Sequence, residues 1–159
     1  MPRILIVDDD INVLRALGRL IHFMPRELLG GEVEVECHSE PEDALARAAA
    51  CEFDLIVVDY LMPRMHGVAF MRRLNAMHSH AARLLLTAHA RALEKIDAVK
   101  GIGPVEMMSK PWDEAALKAA IARLVGWRRG QLAARLQGSA QAPLHVGLQA
   151  PGAVLLTAQ

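Results

Sequence analysis

The stretch Asp54-Leu55-Ile56-Val57-Val58-Asp59 decides the fold. After Asp54 its apolar side chains run without a polar break and then stop at an acid. A run that short and that continuous reads as a strand covered on both faces, hence central in a parallel sheet. Working outward, Arg3–Val7 is a second such run and Arg83–Leu86 a third, with Val105–Met108 near the end of the same pattern. Val33–Cys37 alternates Glu with apolar residues, as a strand near a sheet edge does.

Between these strands lie segments of helical period. Asn12–Phe23 puts Val13, Leu14, Leu17, Leu20 and Ile21 on one face,. Ser39-Glu40-Pro41-Glu42 is a helix start, with Ser39 as cap, leading to a helix that ends near Ala50. Val68–Met77, Ala90–Val99 and Asp113–Leu124 are the third, fourth and fifth helices, and Gly101-Ile102-Gly103-Pro104 breaks the chain before the last strand,. Alternating strands and helices predict an α/β domain with a (βα)5 doubly wound parallel sheet, which right-handed crossovers leave few ways to wind; in the flavodoxin-like order, 2-1-3-4-5, strands one and three are neighbours. The receiving unit is expected over residues 1–127. Residues 128–159 are expected as a C-terminal tail, with a helical extension near Gln131–Gln137 and then irregular or disordered chain.

The 159 residues suffice for one such domain, and 53% apolar against 23% charged residues indicate a soluble globular chain,. Lys+Arg and Asp+Glu balance at 18 each, which argues against direct DNA binding,. Cys37 and Cys51 have no metal-ligand spacing and read as free thiols,. The apolar start meets acids at Asp8, too soon for a signal peptide or a membrane span, so the expected location is cytoplasmic.

The chemistry-bearing residues stand where the apolar runs stop. Asp8 and Asp9 follow the first strand, Asp59 ends the third, Thr87 follows the fourth and Lys110 the fifth. In a parallel sheet these C-terminal ends share one edge, and ligands bind there at the switch point between strands one and three. Three close carboxylates repel one another unless a cation neutralises them, and an all-oxygen site suits Mg2+. Lys110 adds a mobile point charge, and a carboxylate beside two cations is a plausible phosphoryl acceptor. Singly, each residue has a plainer use: Asp10, for instance, reads as a helix cap. It is the set that carries the expectation.

In Ile4-Leu5-Ile6-Val7-Asp8-Asp9-Asp10, Asp54-Leu55-Ile56-Val57-Val58-Asp59-Tyr60-Leu61-Met62-Pro63, Gly67, Leu86-Thr87-Ala88 and Ser109-Lys110-Pro111-Trp112 the chain resembles the response-regulator receiver domains of two-component signalling. The resemblance implies Asp59 as phosphoacceptor and Asp8 and Asp9 as the acidic pair for Mg2+, Asp9 the more direct ligand. It also implies the backbone carbonyl of Leu61 as a metal ligand, Thr87 as the switch hydroxyl and Lys110 as the phosphate-pairing lysine. A sensor histidine kinase or phosphotransfer protein would be the donor. The response would run through the fourth helix, fifth strand and fifth helix, to a downstream protein or to a second copy in a homodimer.

Three departures accompany the likeness. Met107 stands where the family often has an aromatic residue, Leu61 and His89 flank the site where access of water is tuned, and no output domain is recognisable. Apolar Leu61 predicts slow self-hydrolysis. Trp127-Arg128-Arg129 reads more simply as dipole partners at a helix C-terminus than as a nucleic-acid patch. A haloacid-dehalogenase-like phosphatase is disfavoured, because Asp8-x-Asp10 is followed by Ile11-Asn12 instead of that family's Thr or Val.

Overall fold

The computed structural model describes residues 1–89, 101 and 105–137, and the backbone of 154–156. Its elements run β1 (Arg3–Val7), α1 (Ile11–His22), α2 (Arg26–Leu29), β2 (Glu34–His38), α3 (Pro41–Ala50), β3 (Leu55–Asp59), α4 (Gly67–Ala76), β4 (Ala82–Thr87), β5 (Val105–Ser109), α5 (Glu114–Leu136) and β6 (Val154–Leu156). Five parallel strands lie in the order β2-β1-β3-β4-β5, and β6 joins β5 antiparallel. The helix expected over Ala90–Val99 lies outside the described residues.

The period-two alternation of each strand divides the core into two layers. Ile4, Ile6, Leu55, Val57, Leu84 and Leu86 pack with Leu14, Leu17 and Ile21 of α1 and with Leu117, Ile121, Leu124 and Val125 of α5. Leu5, Val7, Ile56, Val58 and Leu85 face the other way, onto Leu45 of α3 and Phe70, Met71 and Leu74 of α4. All of the strand residues named here are essentially buried. Each such aliphatic side chain contributes about 1.5–3 kcal/mol relative to exposure, which fixes the register of a two-sided sheet.

Several boundaries differ from expectation. Pro41 occupies the first turn of α3, so Glu40 is the capping residue in place of Ser39, and its side chain makes no capping bond,. α2 is a single turn that no periodicity could announce. The last helix does not stop at Leu124: it runs unbroken to Leu136, taking in most of the stretch Gln131–Gln137. The tail also adds a strand where irregular chain was expected. Because α5 continues past Trp127-Arg128-Arg129, these residues are not at its C-terminus. Arg129 instead donates to the carbonyls of Leu29 and Gly30 at 3.2 and 2.8 Å, serving the end of α2. Gly30 is left-handed there, a conformation that favours glycine, and any Cβ would displace the Arg129 guanidinium from these carbonyls,.

Candidate functional site

The site forms at the C-terminal edge of the sheet because β1, β3, β4 and β5 are parallel and in register. β1 leads into Asp8 and Asp9, and β3 ends on Asp59. The next residue, Tyr60, donates its N–H to the Leu86 carbonyl at 2.7 Å, tying the end of β3 to β4. Thr87 pairs with Ser109, and the Lys110 N–H donates to the Thr87 carbonyl at 2.6 Å. The backbone thus sets Lys110 one step beyond β5, and its side chain turns back over β1 and β3.

Lys110 Nζ lies 2.6 Å from Asp8 Oδ2 and 3.0 Å from Asp59 Oδ1. One ammonium therefore bridges acids from two adjacent strands. Asp8 is also held from the other side, its Oδ1 accepting the Asp10 N–H at 2.9 Å. Asp10 itself caps α1, accepting from the Asn12 N–H at 2.8 Å,. Asp8 and Asp59 are buried, and Asp9 is exposed. Each of the three offers a carboxylate oxygen, and these oxygens lie within 4.8 Å of one another.

Burial pushes the Asp59 carboxyl above its ordinary value; Lys110 pulls it down, and the charges of Asp8 and Asp9 push it up again,. For Lys110, burial works to lower the ammonium, but its bonds to Asp8 and Asp59 outweigh that and leave it raised. Three carboxylates against one ammonium leave the cluster short of positive charge. Hard oxygen donors, partly open through Asp9, fit a divalent cation of the Mg2+ kind, which keeps several waters and takes few carboxylates.

Thr87 is fully buried, and its Oγ1 accepts the His89 N–H at 3.0 Å. His89 is exposed. Leu61 follows on the loop after β3 and is 44% exposed. Met107, by contrast, is 1% exposed and packs in the core with Leu85 and Val105. The sequence could not announce two backbone contributions. One is the Asp10 N–H on Asp8. The other is the close seat of Gly67, where a Cβ would come within 2.4 Å of the Asp59 carbonyl oxygen. α4 can start directly against the end of β3 only because Gly67 lacks that atom.

A family model described as the response regulator receiver domain matches residues 4–122. The chain belongs to this family, a signalling module of two-component systems and not a class of turnover enzymes. It is 30% identical over 121 residues to the transcriptional regulatory protein FlgR of Helicobacter pylori, covering 76% of this chain and 29% of FlgR. It is 31% identical over 127 residues to the cyclic di-GMP phosphodiesterase response regulator RpfG of Xanthomonas campestris, covering 79% of this chain and 32% of RpfG. The chain thus spans about a third of the length of these two relatives. Among solved structures, chemotaxis protein CheY4 of Vibrio cholerae is 28% identical, with a TM-score of 0.64 over 78% of this chain and 98% of CheY4. The signal receiver domain of an HD domain-containing protein from Pseudomonas fluorescens is 25% identical, with a TM-score of 0.70 over 83% of this chain and 92% of that one.

Proposed function

We propose that the domain accepts a phosphoryl group on Asp59 from the phosphohistidine of a sensor histidine kinase or phosphotransfer protein. The observation that supports this best is the Lys110 ammonium bridging Asp8 and Asp59 beside the exposed carboxylate of Asp9. In the transfer the histidine N–P bond breaks, a P–O bond forms to an Asp59 carboxylate oxygen, and the imidazole nitrogen takes a proton from solvent. Asp8, Asp9, Asp59 and the Leu61 carbonyl would hold Mg2+, which when bound supplies positive charge to the transferring oxygens. Lys110 supplies the protein's own positive charge at the same place. Its ammonium follows the phosphoryl oxygens, leaving Asp8 to the metal.

The Thr87 hydroxyl, now satisfied by the His89 N–H, would turn to a phosphoryl oxygen and move the loop after β4 with it. Phosphorylation can shift the equilibrium only by the difference in these contacts between the two forms. The response would reach a protein partner, or a second copy of the chain, through the helix expected over Ala90–Val99 together with β5 and α5. The balanced charge favours a protein over DNA as target. We take residues 1–127 as the receiver unit and 128–159 as its tail, acting in the cytoplasm.

The test is incubation of the full chain with Mg2+ and a small acyl phosphate or phosphoramidate. Intact-mass measurement should show one phosphoryl group, labile to hydroxylamine as an acyl phosphate is, that is not gained when Mg2+ is chelated beforehand. An unmodified chain, or equal modification of Asp59→Asn, would overturn the reading.

A further inference from the structure

At the opposite edge of the sheet a cleft of about 230 Å3 opens between the loop after α3, the loop after α4 and the middle of α5. Cys51, Glu52, His78, Ser79, His80 and Arg128 are among its lining residues. Arg128 is 4% exposed, yet its Nε and Nη1 are buried with no hydrogen-bond acceptor among the described residues. Its Nη2 reaches only Glu52, at 3.7 Å, and that carboxylate belongs to a side chain 84% exposed. A partner so loosely held and so well solvated does little to offset a buried guanidinium. Neighbouring side chains add positive charge. Arg135 Nη2 stands 3.4 Å from His80 Nδ1. Burial holds His80 below its ordinary value, and Arg135, Arg128 and His78 push it further, with only Glu52 opposing. Arg83, wholly buried, donates Nη2 to the Ser79 carbonyl at 2.9 Å and leaves its Nε without an acceptor among the described residues.

We propose that this cleft binds a small oxyanion, phosphate or carboxylate, that pairs with Arg128 and is flanked by His80 and Arg135. The planar guanidinium suits a two-oxygen acceptor, and a charge-assisted pair is the contact that a buried arginine lacks here. Glu52, exposed and weakly engaged, can swing aside at little cost as Arg128 turns toward the ion. The site lies at the N-terminal edge of the strands, away from Asp59, and does not depend on phosphorylation there.

The experiment uses the full chain without Mg2+, where the acidic cluster repels anions. Thermal unfolding is followed while sodium chloride is replaced by inorganic phosphate or by acetate at fixed pH and ionic strength. Wild type should gain a saturable rise in Tm with phosphate, acetate or both, as a ligand bound only by the folded state gives, and the His80 ring resonances should shift with it. A stronger phosphate effect points to a phosphate or phosphate ester as ligand, and a stronger acetate effect to a carboxylate. Arg128→Met should be more stable than wild type in chloride, having lost an unpaired buried charge. It should also bind the anion roughly tenfold more weakly or worse, the loss of one charge-assisted pair. Arg135→Gln, on an exposed side chain, should weaken the response without touching the core, and it serves if Arg128→Met fails to fold. A Tm that does not change as either anion replaces chloride, or a response retained in both variants, would overturn the proposal.

Discussion

At one edge of the sheet a single ammonium bridges Asp8 and Asp59, with Asp9 beside them; at the other, Arg83 and Arg128 lie buried with guanidinium nitrogens that no acceptor meets among the described residues. The acidic edge is short of positive charge but internally bonded, because Lys110 reaches both strands. The basic edge is short of negative charge and only loosely bonded, through an exposed Glu52. Both follow from parallel topology, which collects every strand's end, and whatever residue stands there, at a common edge. The difference teaches that parallel topology can gather acids at one edge, in a set that could hold a cation, and arginines at the other, where we propose that an anion binds.

The largest expected effect is at Asp59. Asp59→Asn should abolish phosphoryl acceptance outright, read as the loss of the added mass, while the fold persists. Lys110→Ala should slow acceptance by roughly 100-fold or more, the usual cost of removing one preorganised charge from a transferring group. Equal rates for wild type and Lys110→Ala would break the comparison at its acidic end, because the bridging ammonium would then be a packing feature only. Next comes Gly67→Ala. Its Cβ would press on the Asp59 carbonyl, and overpacking of this kind costs about 1–3 kcal/mol in denaturant unfolding,.

A subtler test concerns stability against pH. Asp59 is raised, mainly by burial, so folding favours its protonated form. That contribution is fully present below the ordinary carboxylate range and is lost as pH rises through the shifted value. In the absence of Mg2+, Asp59→Asn should therefore be more stable than wild type at neutral pH, and the gap should close on acidification. Added Mg2+ should stabilise wild type and leave Asp59→Asn nearly unmoved. A gap that widens on acidification would mean that Lys110 outweighs burial at this carboxyl.

These edges were not equally legible in the amino-acid sequence. Asp8, Asp59, Thr87 and Lys110 stand out because each interrupts or follows an apolar run, and strand order then brings them together. What could not be read is how they are held: the Asp10 N–H on Asp8 is a backbone contact with no residue signature, and Gly67, though part of the resemblance, does not by itself name the Asp59 carbonyl it seats against. The basic edge was misread for a different reason. Trp127-Arg128-Arg129, between Gly126 and Gly130, looks like the frayed end of a helix, since glycines and charges break the apolar period. Tertiary contacts override that, with Arg129 clamped on the end of α2 and Arg128 turned inward. β6 was hidden for a third reason, because three residues of strand are too few to show a period.

That short strand provides the smallest expected effect and joins the two edges. β6 pairs Val154–Leu156 with Val105–Met107, the half of β5 nearer the basic edge, while Ser109 and Lys110 at the acidic end lie beyond it. Truncation after Gln137 removes a three-residue pairing but also releases the entropy of closing the connection to it, a term that grows only slowly with length. The two nearly cancel, so the stability change should stay within about 1 kcal/mol, the net scale of one hydrogen bond. Hydrogen exchange should nonetheless quicken at the amides of Val105–Met107 that lose partners, and phosphoryl acceptance at Asp59 should keep its rate. If truncation instead alters the equilibrium extent of acceptance, β5 transmits strain along its length, and by linkage phosphorylation must then alter the pairing of β6 in return. The two edges would then be opposite ends of one coupled strand, and the tail strand would report on Asp59.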